Sequence, residues 1–291
     1  MAITILDGGM GQELVARSSA EPTPLWSTRV MLDKPGLVRA VHGDFFAAGA
    51  EVATANTYAI HHDRLLAAGI DDQFESLHRT GCKIAKAARD DHGSGRVAGA
   101  LGPLGWSYRP DLAPPAETAK AAYAEIAAIQ APYVDLFVCE TMASVDQARG
   151  ALMGLQDTGM PYWLAVSTLE EDGTRLRSGE LVTELFGVID TFEPEAVLIN
   201  CTTPEVISDA LTALRPHGVP LGAYGNGFVR IADDYKTSTA TVAQLSARED
   251  LSPERYADFA EQWADIGATI IGGCCEIGPA HIAELHRRFH G

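Results

Sequence analysis

Short runs of apolar, mostly β-branched residues alternate along the chain with longer stretches whose apolar positions recur at helical spacing. The runs predict strands at 3–6, 52–55, 97–101, 136–139, 162–168, 196–200, 221–224 and 269–271. The stretches between them predict helices at 35–48, 72–91, 115–131, 144–156, 180–191, 204–214, 253–265 and 279–288. Ser252-Pro253 and Thr203-Pro204 each set a capping residue before a proline at the first helical position, which supports two of these starts. Eight strands alternating with eight helices predict an α/β chain folded as a single (β/α)8 TIM barrel over residues 1–291. A doubly wound open sheet is the alternative.

The barrel reading carries a consequence for chemistry, because active sites of this fold sit at the C-terminal ends of the strands. Unusual residues fall at those ends: Asp7-Gly8-Gly9 after the first strand, Asn56-Thr57-Tyr58 after the second and Gly102-Pro103 after the third. Glu140-Thr141 follows the fourth, Asn200-Cys201 ends the sixth, Asn226 follows the seventh and Cys274-Cys275 the eighth. Polar residues after a strand can be turn chemistry alone. Cysteine is not a turn former, so three cysteines at two strand ends call for another reason.

Composition narrows the class of protein. The chain has 291 residues, 46% hydrophobic, with a formal net charge of −17. That charge disfavours nucleic acid and anionic membranes as partners and fits an acidic surface in water. No apolar run approaches the roughly 20 residues of a membrane span. The N-terminal residues carry no basic segment followed by a cleavage site, so no signal peptide is expected. Five cysteines, an odd number, argue against a disulfide framework and for reduced thiols in the cytoplasm.

The most distinctive stretch is Ile270-Ile271-Gly272-Gly273-Cys274-Cys275. Neighbouring side chains of an extended strand point to opposite faces, so paired cysteines converge only where the strand breaks, and glycines permit such a break. Convergent thiols in a reducing compartment suggest a soft metal, most often zinc. With Cys201 as third ligand, one tetrahedral position stays open, as in catalytic rather than structural sites. Three thiolates on Zn2+ leave a net charge of about −1, a poor setting for activating water and a good one for holding a substrate thiol as thiolate. The implied reaction is attack of sulfur on an electrophilic carbon, and inert buried cysteine is the bland alternative. Cys82 and Cys139 fall inside a helix and a strand and read as core. His61-His62 reads as a loop pair. No GxGxxG after a strand, Walker loop or GxSxG elbow is present. Gly8-Gly9-Met10-Gly11 instead lets backbone amides approach a carboxylate.

Together these motifs resemble the zinc-dependent homocysteine S-methyltransferases. The resemblance runs from Asp7 to about Leu285 and rests on Asp7-Gly8-Gly9-Met10-Gly11, Leu25-Trp26-Ser27, His42 with Ala48-Gly49-Ala50, and Thr54-Ala55-Asn56-Thr57-Tyr58. It continues through Gly102-Pro103, Cys139-Glu140-Thr141, Asn200-Cys201 and Gly272-Gly273-Cys274-Cys275. The resemblance implies that Cys201, Cys274 and Cys275 are catalytic zinc ligands. It implies that Asp7, Gly8 and Gly9 touch the amino-acid part of homocysteine, that Glu140 binds its ammonium, and that Asn56 and Asn226 lie near the pocket. The implied activity is transfer of a methyl group from a sulfonium or ammonium donor to zinc-held homocysteine, giving methionine. Leu25-Trp26-Ser27 resembles the S-methylmethionine branch most, so S-methylmethionine is the preferred donor; betaine, dimethylsulfoniopropionate and S-adenosylmethionine are others. Trp106 or Tyr108 would face the donor's cationic methyl group. Two segments depart from the family pattern, Glu276-Ile277 after the paired cysteines and Gly225-Asn226-Gly227-Phe228-Val229 after the seventh strand. Both bear on the donor more than on homocysteine. The alternatives are a methyltransferase module served by a separate methylcobalamin protein, and a zinc- or thiol-binding protein without turnover. The oligomeric state is open.

Overall fold

Each apolar run becomes a strand of one parallel sheet: β1 (Thr4–Ile5), β2 (Val52–Thr54), β3 (Arg96–Leu101), β4 (Leu136–Met142), β5 (Tyr162–Val166), β6 (Ala196–Asn200), β7 (Leu221–Tyr224) and β8 (Ala268–Ile271). The computed structural model describes residues 2–19, 23, 25–231 and 245–291. The strand order is β1-β8-β7-β6-β5-β4-β3-β2. A parallel bridge between Leu6 and Val52 joins the two ends of that order, which makes the sheet a barrel rather than an open, doubly wound one.

The eight predicted helices are present as α3 (Pro35–Ala47), α5 (Phe74–His92), α6 (Ala116–Gln130), α7 (Val145–Leu155), α8 (Phe186–Phe192), α9 (Pro204–Leu214), α10 (Pro253–Ile266) and α11 (Pro279–His290). Ser144 and Ser252 cap α7 and α10 by accepting from the backbone N–H of Gln147 and Arg255. Thr203 makes no side-chain cap on α9. Three more helices carry no legible period: α1 (Met10–Ser18), α2 (Ser27–Asp33) and α4 (His62–Ala67). They span two turns or so, too few for a 3.6-residue repeat to declare itself. All three follow β1 or β2 and build one side of the barrel mouth. Among the described residues no helix is long and apolar enough to cross a membrane.

Alternation along the strands separates two apolar layers. On β4, Phe137 and Cys139 pack outward under the helices, while Leu136 and Val138 pack into the barrel with Trp163, Leu198, Tyr224 and Ile270. The interior is thus packed with apolar side chains below the strand ends. Glu140 continues the inward phase of Leu136 and Val138, so the same alternation that builds the core carries a carboxylate to its upper surface.

Candidate active site

At the strand ends the three cysteines predicted as ligands converge. The Sγ atoms of Cys201, Cys274 and Cys275 all lie within 4.8 Å of one another. Cys201 and Cys274 are joined as a disulfide with Cα atoms 5.6 Å apart, and Cys275 is a free, buried thiol. A tetrahedral zinc with bonds of about 2.3 Å sets its sulfurs about 3.8 Å apart. The donor set therefore fits one ion once the disulfide is reduced; disulfide and shared ion exclude each other. Burial, and then the nearby charges of Glu276 and Glu140, push the Cys275 thiol up to about 12. A thiolate at this position needs a compensating cation.

The turn carrying the paired cysteines is tied on both sides. Gly273 N–H donates to Asp7 O, and Cys274 N–H to Gly225 O. The Tyr256 hydroxyl donates to Gly272 O (2.6 Å) and accepts from Gly225 N–H (2.9 Å). The loop after β1 lies directly on this turn. A Cβ on Gly8 would stand 2.0 Å from Ile277 O, and one on Gly9 2.5 Å from Cys274 O. Gly8-Gly9 is therefore a packing requirement of the cysteine turn. Gly9 N–H is also occupied, donating to Ile277 O at 2.8 Å, so it is not available to a substrate carboxylate.

Two carboxylates stand beside the sulfurs. Asp7 is 2% exposed and accepts from Thr54 N–H (2.7 Å) and Thr54 Oγ1 (2.8 Å). Burial outweighs both bonds and raises its pKa to about 7. Burial, reinforced by the charge of Asp7, raises Glu140 to about 8, and the Tyr224 hydroxyl donating to Oε2 at 3.2 Å offsets only part of this. Next to Glu140 the register of β4 shifts and Thr141 takes a φ of 62°. Asn200 on β6 clamps it: its Oδ1 accepts from Thr141 N–H and its Nδ2 donates to Thr141 Oγ1, each at 2.9 Å. Asp7 and Glu140 line the same pocket, and such a pair of carboxylates can receive an ammonium group.

Aromatic side chains complete the walls. Trp26 donates from Nε1 to Gln12 Oε1 (3.2 Å), and Gln12 in turn donates to Glu276. The ring of Tyr58 meets Trp26 edge-on, with centroids 6.1 Å apart, and its hydroxyl bonds Ser107 Oγ at 2.7 Å. Trp106 lies under the Arg64 guanidinium and Tyr108 under that of Arg177, each at 4.6 Å. Among the described residues seven non-glycine positions have positive φ, and five of them, Trp26, Tyr108, Thr141, Cys201 and Glu276, line this pocket or flank it. Backbone strain concentrated in this way marks a functional site.

Of the residues singled out from sequence, Asp7, Gly8, Gly9, Asn56, Glu140, Cys201, Cys274 and Cys275 line one pocket. Asn226 is not among its lining residues; it is fully buried and its Oδ1 accepts from Phe228 N–H. His61 and His62 open α4 outside the pocket, with His62 stacked on Phe74 and bonded to Asp71. Cys82 and Cys139 are buried in the core. Thr54, Tyr224 and Arg64 also line the pocket, although no strand-end motif marks them as site residues. The first two sit in phase with the inward strand positions, a signal that alternation contains; Arg64 sits on a helix too short to be read.

Comparison with known proteins agrees with this geometry. The profile of the homocysteine S-methyltransferase family matches residues 4–289. The homocysteine S-methyltransferase of Escherichia coli K12 is 31% identical, over 98% of this chain and 95% of its own length. The selenocysteine methyltransferase of Astragalus bisulcatus is 26% identical over 97% of this chain and 91% of its own. The crystal structure of the homocysteine methyltransferase MmuM from Escherichia coli in its metallated form superposes with a TM-score of 0.83 at 27% identity, covering 99% of this chain and 96% of that one. Its oxidized form gives 0.82 at 28% identity, covering 98% and 96%. A barrel with these strand ends, matched over nearly its whole length by these enzymes, belongs to the homocysteine S-methyltransferase family and is a methyltransferase.

Proposed function

We propose that this chain methylates the sulfur of homocysteine, using a small sulfonium or ammonium donor with S-methylmethionine preferred, and so forms methionine. The observation that carries the reading is the meeting of three cysteine sulfurs and two buried carboxylates in one pocket. Asp7 and Glu140 receive the substrate ammonium, whose charge favours their ionised forms. Gly8 N–H, which donates to no acceptor among the described residues, is placed for the substrate carboxylate, with Asn56 beside it. Cys201, Cys274 and Cys275 would hold zinc, which when bound supplies the positive charge that keeps the substrate sulfur deprotonated near neutral pH.

The remaining work is positioning. Trp26, Tyr58, Trp106 and Tyr108 present aromatic surface to a cationic donor and keep water from the reacting atoms. As the new carbon–sulfur bond forms, the bond from methyl to the onium centre breaks, and its electron pair stays with the departing group. That group leaves neutral, so no side chain has to protonate it. Binding both reactants in line in one pocket supplies most of the rate.

The test is a donor panel against homocysteine with the reduced protein, its metal content measured on the same sample. Methionine formed from S-methylmethionine without added corrinoid supports the proposal and excludes a module that depends on methylcobalamin. Metal-loaded protein that makes no methionine from any onium donor would sink it.

A further inference from the structure

Arg64 projects from α4 into the pocket wall, its guanidinium stacked 4.6 Å above the ring of Trp106. Its Nε and Nη2 are buried and have no hydrogen-bond partner, and no carboxylate of the described residues forms an ion pair with it. No other arginine among the described residues has buried guanidinium nitrogens left without a partner. Arg177, whose guanidinium lies over Tyr108, is by contrast committed: Nε donates to Ser167 Oγ (2.9 Å), Nη2 to Cys201 O (3.3 Å), and Glu170 pairs with it at 3.6 Å. A buried guanidinium without an anion is costly, and a planar fork of donors is shaped for a carboxylate.

The onium donor of the proposed reaction presents a second difficulty at the same place. A cationic donor entering beside Trp106 meets the fixed positive charge of Arg64, and the two repel. A donor that also carries a carboxylate removes both costs, because its anion satisfies the guanidinium while its onium centre faces the aromatic walls. We propose that Arg64 is the anchor for the carboxylate of the methyl donor. This inference rests on the methyl-transfer reading above.

The test pairs S-methylmethionine with its carboxamide, which has nearly the same shape and lacks the anion. Calorimetric titration of each into the reduced, metal-loaded protein is compared for wild type, Arg64→Met, which keeps a flexible stem over Trp106, and Arg64→Lys, which keeps the charge without the fork. Circular dichroism checks that each variant is folded. Wild type is expected to bind the acid at least 30-fold more tightly than the amide. Arg64→Met is expected to lose that preference, with Arg64→Lys between them and the KM for homocysteine within threefold of wild type. Two outcomes overturn the inference: a preference for the acid that survives in Arg64→Met, or a loss of homocysteine affinity in that variant with donor affinity intact, which assigns the guanidinium to the other substrate. Turnover by wild type is scored separately: an inert wild type counts against methyl transfer, whereas an active one indifferent to Arg64→Met counts against the anchor alone. Betaine against choline repeats the comparison with an ammonium centre.

Discussion

Replacing Glu140 with glutamine should make the empty enzyme more stable while it cripples homocysteine binding. Glutamine has the shape of the protonated acid, and its Oε1 still accepts from the Tyr224 hydroxyl, which reaches Glu140 at 3.2 Å. Glu140 titrates at about 8 in the folded chain against an ordinary value of 4.5. A group raised on folding contributes stability that is full below its unfolded pKa and is lost as pH rises through its folded one. At pH 7 the folded chain holds Glu140 mostly protonated, about 2.5 pH units above the value at which it ionises when unfolded, a cost of about 3 kcal/mol at about 1.36 kcal/mol per unit. Because the carboxylate opens onto the pocket, that figure is a ceiling. The unfolding entropy of a chain this long is about 0.6 kcal/mol/K, so the variant should melt up to about 5 °C higher at pH 7. The gain should shrink toward zero near pH 5 and grow toward pH 8, because only the wild type carries the penalty. Removing the charge also relieves Asp7, whose repulsion is the second cause of the shift. At the same time the substrate ammonium loses a charged partner worth about 3 kcal/mol, so the KM for homocysteine should rise about 100-fold. Thermal melts of reduced, metal-free protein at pH 5, 7 and 8, with steady-state kinetics of the loaded enzyme, test both halves. A variant that melts below wild type at pH 7, or an offset that does not change with pH, would refute the reasoning.

Three further outcomes follow from the same geometry. Protein carrying the Cys201–Cys274 disulfide should show three titratable thiols when unfolded without reductant and bind no zinc, whereas reduced protein should show five, bind one equivalent and gain activity; zinc uptake by the oxidised form would contradict a shared ion. Asn200→Ala removes both bonds that clamp Thr141 beside Glu140, so it should lower stability by about 1–3 kcal/mol and raise the KM for homocysteine more than it lowers kcat, read from denaturant melts and kinetics. Gly9→Ala drives a Cβ toward Cys274 O, so the cysteine turn must shift; competition with a chromophoric chelator should show zinc affinity reduced at least tenfold, with the barrel's circular dichroism retained.

Much of this site was legible because it follows the strand alternation. Glu140 could be placed from Leu136 and Val138, since every second residue of β4 faces the barrel interior. The cysteines stood out because a thiol has no role in a turn and two glycines preceded the pair. Asn226 shows the limit: it follows β7 as expected, yet the chain turns it into the protein, where it bonds Phe228 N–H. Gly9 is another such case. The glycine-rich run suggests a backbone donor for a ligand, but the Gly9 N–H donates to Ile277 O and the missing side chain makes room for Cys274.

What the chain determined by itself was local and periodic: eight strand runs, the helices long enough to show their repeat, and the residue types at each strand end. Those features depend on neighbours a few positions away, which a linear pattern contains. Tertiary structure alone decided which strand ends face one another, that burial holds Asp7, and burial with the charge of Asp7 holds Glu140, near neutral pKa values, and that Arg64 arrives on a short helix with no ion-pair partner among the described residues. Desolvation and charge coupling act through space between residues more than a hundred positions apart, and nothing in the order of residues expresses that distance until the barrel closes.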